Sequence, residues 1–548
     1  MLSKNERITL KIVAMSGEGF GVGRYSDETV RDFVVFVASS AVGDTVEVLV
    51  MKVLKNYAFA KILNIVEASP DRIENDCPVF GKCGGCRYRH ISYDAELRCK
   101  TEHVRDVFKK NYPKCPVPVL DTIPSVRTDC YRNKAQFPIS PDGKCGYYAV
   151  NSHRVVPVDT CPLTPPVFND VAKIVEEYIA KYSVSVYDET TGRGLLRHVC
   201  IRKAPKTGDI SVVLVATSDV LPHKPQLLSR LSSVEGIKSV YLNVNAKNTN
   251  VIYGPKNILI WGDPGIADIL CGLRFEISPM SFYQVNSETC EMLYNYVKDG
   301  LYLEKTDVLL DLYCGIGTIG LSCADRVGYV IGIEAVRDAV ENAYRNAALN
   351  GIENAEFFSS SASSTSDIIA SLPREKFPNT VIVDPPRKGL DEKTIDAIMN
   401  IRPEKFAYIS CDPATLARDL NIVDSLGGYV PTVIQPIDMF PRTKHVETVV
   451  LLSKGEIDSK KIRVEFSLED MDTSGFQQGA TYEQIKGRVL EQTGLKVSSL
   501  YISQIKRKCG LEVGQSYNLS KKENAKQPQC PPEKEKAIRE AMKYFGMI

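Results

Sequence analysis

Apolar and polar positions alternate through the first part of the chain. Ile8-Thr-Leu-Lys-Ile-Val, Phe33-Val-Val-Phe-Val, Thr45-Val-Glu-Val-Leu-Val and Tyr57-Ala-Phe-Ala-Lys-Ile-Leu are short β-rich runs separated by glycine turns. Such spacing predicts a small OB-like β-barrel over residues 1–69. Residues 70–280 mix periods. A Cys/Gly-rich segment from Pro70 to Cys86 precedes a charged helix around Tyr93 to Lys110, and a second helix over Phe168 to Ala180 precedes the strand Ile210 to Ala216. This reads as a small α+β domain. Near residue 305 the pattern becomes strand–helix alternation, with strands at Val308, Tyr329, Thr380 and Phe406. Alternation of that kind predicts a doubly wound, mostly parallel α/β sheet, here assigned to residues 281–454. Residues 455–548 are more polar and look appended. Ile485, Val489, Leu495, Leu500 and Ile505 fit helical spacing on either side of Gly494, which predicts a helix–turn–helix with Ser498, Ser499, Tyr501, Lys506 and Arg507 on or near its second helix.

At 548 residues the chain is too long for one core. A formal net charge of +1 excludes a global cationic field, so any nucleic-acid site must be a local patch. The N-terminus is charged and lacks an apolar leader. Sixteen cysteines in that setting point to thiols, metal ligands or catalysis in a reducing cytoplasm. No apolar run approaches the roughly 18 residues that suggest a membrane span. The expectation is a cytoplasmic, monomeric protein with no membrane partner.

Leu310-Asp-Leu-Tyr-Cys-Gly-Ile-Gly-Thr-Ile-Gly320 joins a strand to a helix through a glycine turn, and Glu334 ends the next strand. Glycines let the backbone approach a ligand, and a carboxylate at the second strand end can take both hydroxyls of a ribose. Gly315, Gly317 and Gly320 also spell the dinucleotide fingerprint. Asp311 would repel a pyrophosphate, so the turn favours S-adenosylmethionine (SAM). Val383-Asp-Pro-Pro-Arg387 holds Asp384 at the sheet edge; related segments clamp an exocyclic amine, which leaves N-methylation as an alternative. Cys411 follows the apolar run Phe406 to Ile409, and Glu447 opens the run Thr448 to Leu452. A thiol that adds to C6 of uracil makes C5 nucleophilic, and a carboxylate can then remove the C5 proton. Cys314 is the rival thiol, expected to face cofactor packing. Cys77, Cys83, Cys86 and Cys161 supply four thiols for a metal group; spacing alone slightly favours zinc.

The order of Ser281-Phe-Tyr-Gln-Val-Asn286, the glycine turn, Asp384-Pro-Pro-Arg387, Ser410-Cys-Asp-Pro413 and His445-Val-Glu447 resembles the SAM-dependent RNA 5-methyluridine methyltransferases. The resemblance covers residues 7–453. It implies a Rossmann-like SAM domain in which Gln284, Tyr313, Glu334 and Asp384 line the SAM site. Cys411 would be the nucleophile, Glu447 the base, and Phe282 the aromatic beside the flipped base. Asp412 and Thr318 depart from the family's usual Asn. The resemblance turns the four cysteines toward a [4Fe–4S] cluster. Gly17 to Gly23 with Val42-Gly-Asp44 resembles a TRAM domain, an RNA-binding barrel, for which Phe20, Tyr25, Lys52, Lys55 and Tyr57 are candidate contacts; Tyr131-Arg-Asn-Lys134 is a further basic–aromatic candidate. Barrel and cluster segments together resemble members acting on large-subunit (23S) ribosomal RNA more than those acting on tRNA. An iron–sulfur RNA-binding protein without turnover is the reading from another class.

Overall fold

The computed structural model describes residues 2–28, 31–454, 482–493, 495, 497–509 and 530–544. The chain divides into two compact units, Met1–Asp458 and Ser459–Ile548.

The first unit begins with β1 (Arg7–Met15), β2 (Gly21–Tyr25), β3 (Phe33–Ala38), β4 (Thr45–Val53) and β5 (Tyr57–Glu67), closed into a barrel in the order β1-β2-β3-β5-β4. Ile8, Leu10, Ile12, Val46, Val48 and Val50 fill it from alternate positions. The sequence pattern marks Gly17–Gly23 as a glycine motif and not as a strand. β2 forms there because its neighbours leave no room for side chains: a Cβ on Gly21 would lie 2.0 Å from the Ser40 hydroxyl and 2.8 Å from Ile12. Asp44, fully buried, ties the barrel to the cysteine-bearing segment after it. Its carboxylate accepts the Ala41 and Ser69 N–H groups at 2.6 and 2.9 Å and the Arg72 Nε and Nη2 groups, both at 2.8 Å.

Next come α1 (Tyr93–Asn111), β6 (Lys134–Pro138), β7 (Gly146–Tyr148), β8 (Val155–Pro157), α2 (Val167–Tyr182), β9 (Leu196–Lys203), β10 (Ile210–Ala216), α3 (Lys224–Ser232), β11 (Ile237–Val244) and β12 (Lys256–Gly262). Five of these strands form a sheet in the order β12-β11-β10-β9-β6, and Phe168, Val175, Leu227 and Leu231 of α2 and α3 pack on it. The hairpin β13 (Ile266–Leu270) and β14 (Leu273–Ile277) follows.

The third region runs through α4 (Ser287–Gly300), β15 (Val308–Leu312), α5 (Thr318–Cys323), β16 (Tyr329–Glu334), α6 (Arg337–Leu349), β17 (Ala355–Ser359), α7 (Thr365–Ser371), β18 (Thr380–Val383), α8 (Glu392–Ile401), β19 (Lys405–Ser410), α9 (Pro413–Ser425), β20 (Tyr429–Ile437) and β21 (Glu447–Lys454). Its sheet has the order β17-β16-β15-β18-β19-β21-β20. The first five pair in parallel, and β21 runs antiparallel to both β19 and β20. Successive residues of β15 serve opposite faces. Leu309 packs with α4, α5 and α6, while Leu310 packs with α8, α9 and Val104 and Phe108 of α1. Helix α1 therefore belongs in space to this sheet. No described helix is long and apolar enough to cross a membrane.

The second unit holds α10 (Tyr482–Thr493), α11 (Ser499–Lys508) and α12 (Pro532–Tyr544) around Ile485, Val489, Ile502, Ile505, Ile538 and Met542. The two expected helices are present, and Ser498 caps α11 by accepting the Tyr501 N–H at 3.3 Å. Gly494, the expected turn glycine, lies outside the described residues. Helix α12 was not expected from the pattern; its apolar set, Ala537, Ile538, Ala541 and Met542, is narrow in a charged segment.

The Asp44 clamp generates a stability prediction. Burial raises this carboxyl, but the Arg72 pair and two backbone donors outweigh it and hold it below its ordinary value. Asp44→Asn should lower unfolding free energy by about 3 kcal/mol, as when one partner of a buried pair is removed. The lowered folded value means this contribution is fully present above the unfolded carboxylate range and is lost as pH falls from there through the lower folded value. The gap between native and variant, followed by denaturant unfolding, should therefore shrink below about pH 4.

Candidate active site

In the seven-stranded sheet the strand order reverses between β15 and β18, and such switch points open a crevice at the carboxyl edge. The chemistry-bearing residues gather there. Asp311 sits in β15 with Tyr313 just beyond it, Glu334 ends β16, Asp384 follows β18 and Cys411 follows β19. Glu447 begins β21; because that strand runs the other way, its start lies on the same edge.

Asp311 is fully buried. Its Oδ2 accepts the Gly320 N–H at 2.8 Å, and its Oδ1 has no partner. Glycine at 320 is needed, since a Cβ would lie 2.8 Å from Val330 and 3.0 Å from Asp311 Oδ2. Glu334 reaches across the turn to accept the Gly315 N–H at 3.1 Å and the Val336 N–H at 2.8 Å. Tyr313 turns the chain at φ 66°, with its N–H donated to the Ile333 carbonyl at 2.9 Å. Burial pushes the Asp311 carboxyl up to about 8, and Asp384 and Glu334 push it further the same way. Burial alone takes Asp384 to about 7. Burial and mutual repulsion thus hold these carboxyls toward their neutral forms, and a cationic ligand would favour their ionised forms.

Ser410 pairs with Thr448 in the β19–β21 ladder, so the next pair in that register is Cys411 opposite Glu447. Glu447 is buried with Oε2 unpartnered, and burial and Asp384 raise its carboxyl well above the ordinary range, against the opposing effect of Arg387. Burial pushes the Cys411 thiol up to about 11, with Glu447 and Asp384 adding to it, while Arg387 draws it down by charge and by a hydrogen bond. Arg387 was not assigned from the sequence, although it stands inside the Asp384-Pro-Pro-Arg387 signal. Asp412 caps α9 by accepting the Ala414 and Thr415 N–H groups at 2.9 and 3.2 Å. Thr318 meets the Tyr294 hydroxyl at 3.0 Å. Both departures thus have local structural partners. Cys314 is buried in the core against Gly332, away from the Cys411 cleft.

A cleft of about 680 Å3 opens over Cys411. Arg387, Cys411, His445 and Val446 form one side, His103 of α1 contributes, and Phe20, Phe36, Tyr57 and Phe59 of the barrel form the other. The four barrel rings touch in sequence at centroid distances of 5.5–5.7 Å. Of the barrel candidates, Phe20 and Tyr57 line this cleft; Tyr25, Lys52 and Lys55 do not. Tyr131 and Asn133 are buried, so this segment is not the surface patch expected. Tyr131 donates to the Pro441 carbonyl at 2.9 Å, and Asn133 holds the Gln284 and Val285 carbonyls at 2.9 and 2.8 Å. Gln284 is thereby fixed at its backbone and half-buried. Phe282 on the same loop is 70% exposed.

Cys77, Cys83, Cys86 and Cys161 line one largely apolar cavity of about 140 Å3 with Phe80, Tyr147 and Leu163. Burial pushes Cys86 up to about 12, and the other three thiols raise it further. The Gly85 N–H points at Cys83 Sγ from 3.4 Å. Among the described residues no three Cys, His, Asp or Glu side chains are grouped to hold a single metal ion. The four thiols face one cavity, the donor type that both zinc and iron–sulfur groups use.

Residues 271–455 match the family model described as tRNA (Uracil-5-)-methyltransferase, and residues 3–63 match the TRAM domain. An uncharacterized RNA methyltransferase of Halalkalibacterium halodurans is 39% identical over 459 residues, covering 82% of this chain and 98% of the relative. Another, from Caldanaerobacter subterraneus, is 40% identical over 454 residues, with the same coverage of each. The crystal structure of Pyrococcus abyssi tRNA (uracil-54, C5)-methyltransferase in complex with S-adenosyl-L-homocysteine is similar at 28% identity and TM-score 0.65, covering 81% of this chain and 99% of that one. The chain belongs to the RNA uracil-5 methyltransferase family and carries a TRAM domain at its N-terminus.

Proposed function

We propose that the protein methylates C5 of a uridine in structured RNA, with Cys411 as nucleophile and Glu447 as base. The observation that supports this reading is that the β19–β21 ladder closes on Ser410 and Thr448, so Cys411 and Glu447 come next at the same sheet edge, near enough for Glu447 to raise the thiol. SAM, when bound, supplies an electrophilic methyl group. Buried Asp311 and half-buried Glu334 and Asp384 surround the cofactor position with carboxyls whose ionised forms a sulfonium would favour. Gln284 and Tyr313 complete its walls. Arg387 favours the Cys411 thiolate as its proton leaves to solvent in the cleft. The thiolate adds to C6, breaking the C5–C6 π bond and placing on C5 the electron pair that would take the methyl group as the methyl–sulfur bond breaks and its electrons leave on a neutral thioether. Glu447 then removes the C5 proton, the double bond re-forms and the C6–S bond breaks. The uridine must leave its stack to reach the thiol; exposed Phe282 is placed to meet it, and the four barrel rings offer stacking surface for neighbouring bases.

Large-subunit rRNA is the favoured substrate, supported by the resemblance of the barrel and cysteine segment to rRNA-acting members. tRNA is the second reading, favoured by the specificity named for the Pyrococcus abyssi enzyme. Mapping 5-methyluridine in both RNA pools of a strain lacking this protein separates them. The protein acts in the cytoplasm as a monomer in this reading.

The four clustered cysteines would hold a [4Fe–4S] group beside the site. Anaerobically purified protein should contain about four irons, and serine at any one of the four should abolish the brown absorbance. Zinc in the anaerobic protein would overturn that assignment.

Residues 455–548 form an addition to the catalytic chain. Both family matches end by residue 455, and relatives matched over 98% of their own length cover only 82% of this one. Helix α11 carries Lys506, Arg507 and Lys508 in its last turn and no acidic residue, as a phosphate-contacting element would. Deleting the segment from Gly455 onward should leave the maximal rate on a short RNA unchanged and make binding to large RNA less salt-dependent. An unchanged salt slope would exclude the phosphate contacts.

The two catalytic assignments separate on a gel. Cys411→Ala should abolish methylation while SAM binding persists. Glu447→Gln should complete methyl transfer but remain attached to its RNA, leaving a methylated adduct that survives denaturation. Methylation by Cys411→Ala would favour N-methylation at Asp384-Pro-Pro. Free, unmethylated RNA from Glu447→Gln would reassign the base.

A further inference from the structure

The loop 438–446 joins β20 to β21, and its closing pair is Ile437 with Glu447. Its anchoring is unusually polar. Lys100 lies in the middle of α1, is 1% exposed, and spends its ammonium entirely on this region. It donates to Asp438 Oδ1 at 2.6 Å, to the Phe440 carbonyl at 3.1 Å and to Glu96 Oε1 at 2.8 Å. Glu96 in turn accepts the Arg442 N–H at 2.6 Å and pairs with its guanidinium at 3.5 Å. Asp438 also accepts the Tyr93 hydroxyl at 3.0 Å and the Phe440 N–H at 3.1 Å. Two cations and two carboxylates thus compensate one another inside the fold.

Other segments hold the same loop. The Arg442 carbonyl accepts the Arg87 and Tyr88 N–H groups at 2.8 and 3.1 Å, directly after Cys86. Asn286 donates to the Met439 carbonyl at 3.1 Å, and Lys444 pairs with Glu18 of the barrel. Arg442 sits at φ 69°, a left-handed conformation that a non-glycine residue keeps only where its surroundings impose it. A buried ion network is weak grounds for stability, because apolar replacements of equal volume often do as well. Its value here is directional, since it holds the Phe440 N–H and carbonyl, the Arg442 N–H and the Asp438 side chain of the loop that ends on the catalytic carboxylate.

We propose that Lys100 is a positioning residue for proton abstraction: by clamping Asp438 and Phe440 it sets the loop that places Glu447 opposite Cys411. The inference rests on Glu447 being the base. It assigns Lys100 no contact with substrate.

The test uses full-length protein, methyl-labelled SAM and unmodified transcripts of 23S rRNA and tRNA, with Glu447→Gln run alongside. Lys100→Met should lower kcat by roughly 10- to 100-fold, the scale of a small misplacement of a catalytic group, with SAM affinity little changed. Methylated protein–RNA adduct should accumulate as it does in Glu447→Gln, because elimination is the slowed step. Lys100→Met leaves two buried carboxylates with only Arg442 to offset them, which can impair folding, so Lys100→Met/Glu96→Gln removes one charge of each sign. Its stability should recover while the adduct and slow turnover persist. Turnover that returns with stability would overturn the inference, as would a uniform loss of activity without adduct. Adduct in Glu447→Gln but in neither Lys100 variant overturns positioning alone; no adduct in Glu447→Gln overturns the base assignment and this inference with it.

Discussion

The active edge depends on a reversal of chain direction. Five parallel strands present their carboxyl ends on one side, and a further parallel strand would bring only its own carboxyl end there. Strand β21 runs the other way, so its first residue, Glu447, lands beside the residue that follows β19, Cys411. The ladder ends one residue short of both, at Ser410 and Thr448, and a slip of one residue would turn the carboxylate to the opposite face. The two residues proposed to react thus stand at the end of a ladder inside the seven-stranded sheet.

Strand register alone does not explain the electrostatics. Asp311, Asp384 and Glu447 are raised chiefly by burial, and Asp311 and Glu447 also by neighbouring acids. Their ionised forms are disfavoured until a cation arrives. Arg387 is the opposing charge at the thiol. A sulfonium in the cofactor position would relieve the same repulsion, so cofactor binding and carboxylate ionisation are expected to favour each other. This couples the two halves of the edge, cofactor turn and reacting pair, without any moving part.

The other domains matter through what they hold. Helix α1 belongs by sequence to the segment after the cysteines, yet it packs on the catalytic sheet and supplies Lys100 and His103. The Tyr131–Lys134 segment clamps two loops of the site instead of displaying a basic surface. The barrel closes the cleft with Phe20, Phe36, Tyr57 and Phe59.

By itself the sequence determined the elements and the chemistry. Period-two runs marked four of the five barrel strands, and strand–helix alternation marked the doubly wound sheet. The glycine turn, Asp384-Pro-Pro and the positions of Cys411 and Glu447 at strand boundaries pointed to one sheet edge, where the structure brings these residues together. These features are local: side-chain alternation and turn residues are set within a few neighbours. Only tertiary structure decided what depends on residues far apart in the chain. Strand β2 was illegible because its glycines answer to Ser40 and Ile12 across the barrel. The role of Arg387 depends on Cys411 and Glu447 lying beside it. The burial of Tyr131 and Asn133 depends on loops about 150 and 310 residues away in the chain. Lys100 reads as one more charge on an amphipathic helix until Asp438 and Glu96 close around it. Pairing across such distances is set by packing and charge compensation in the folded state, which no local pattern encodes.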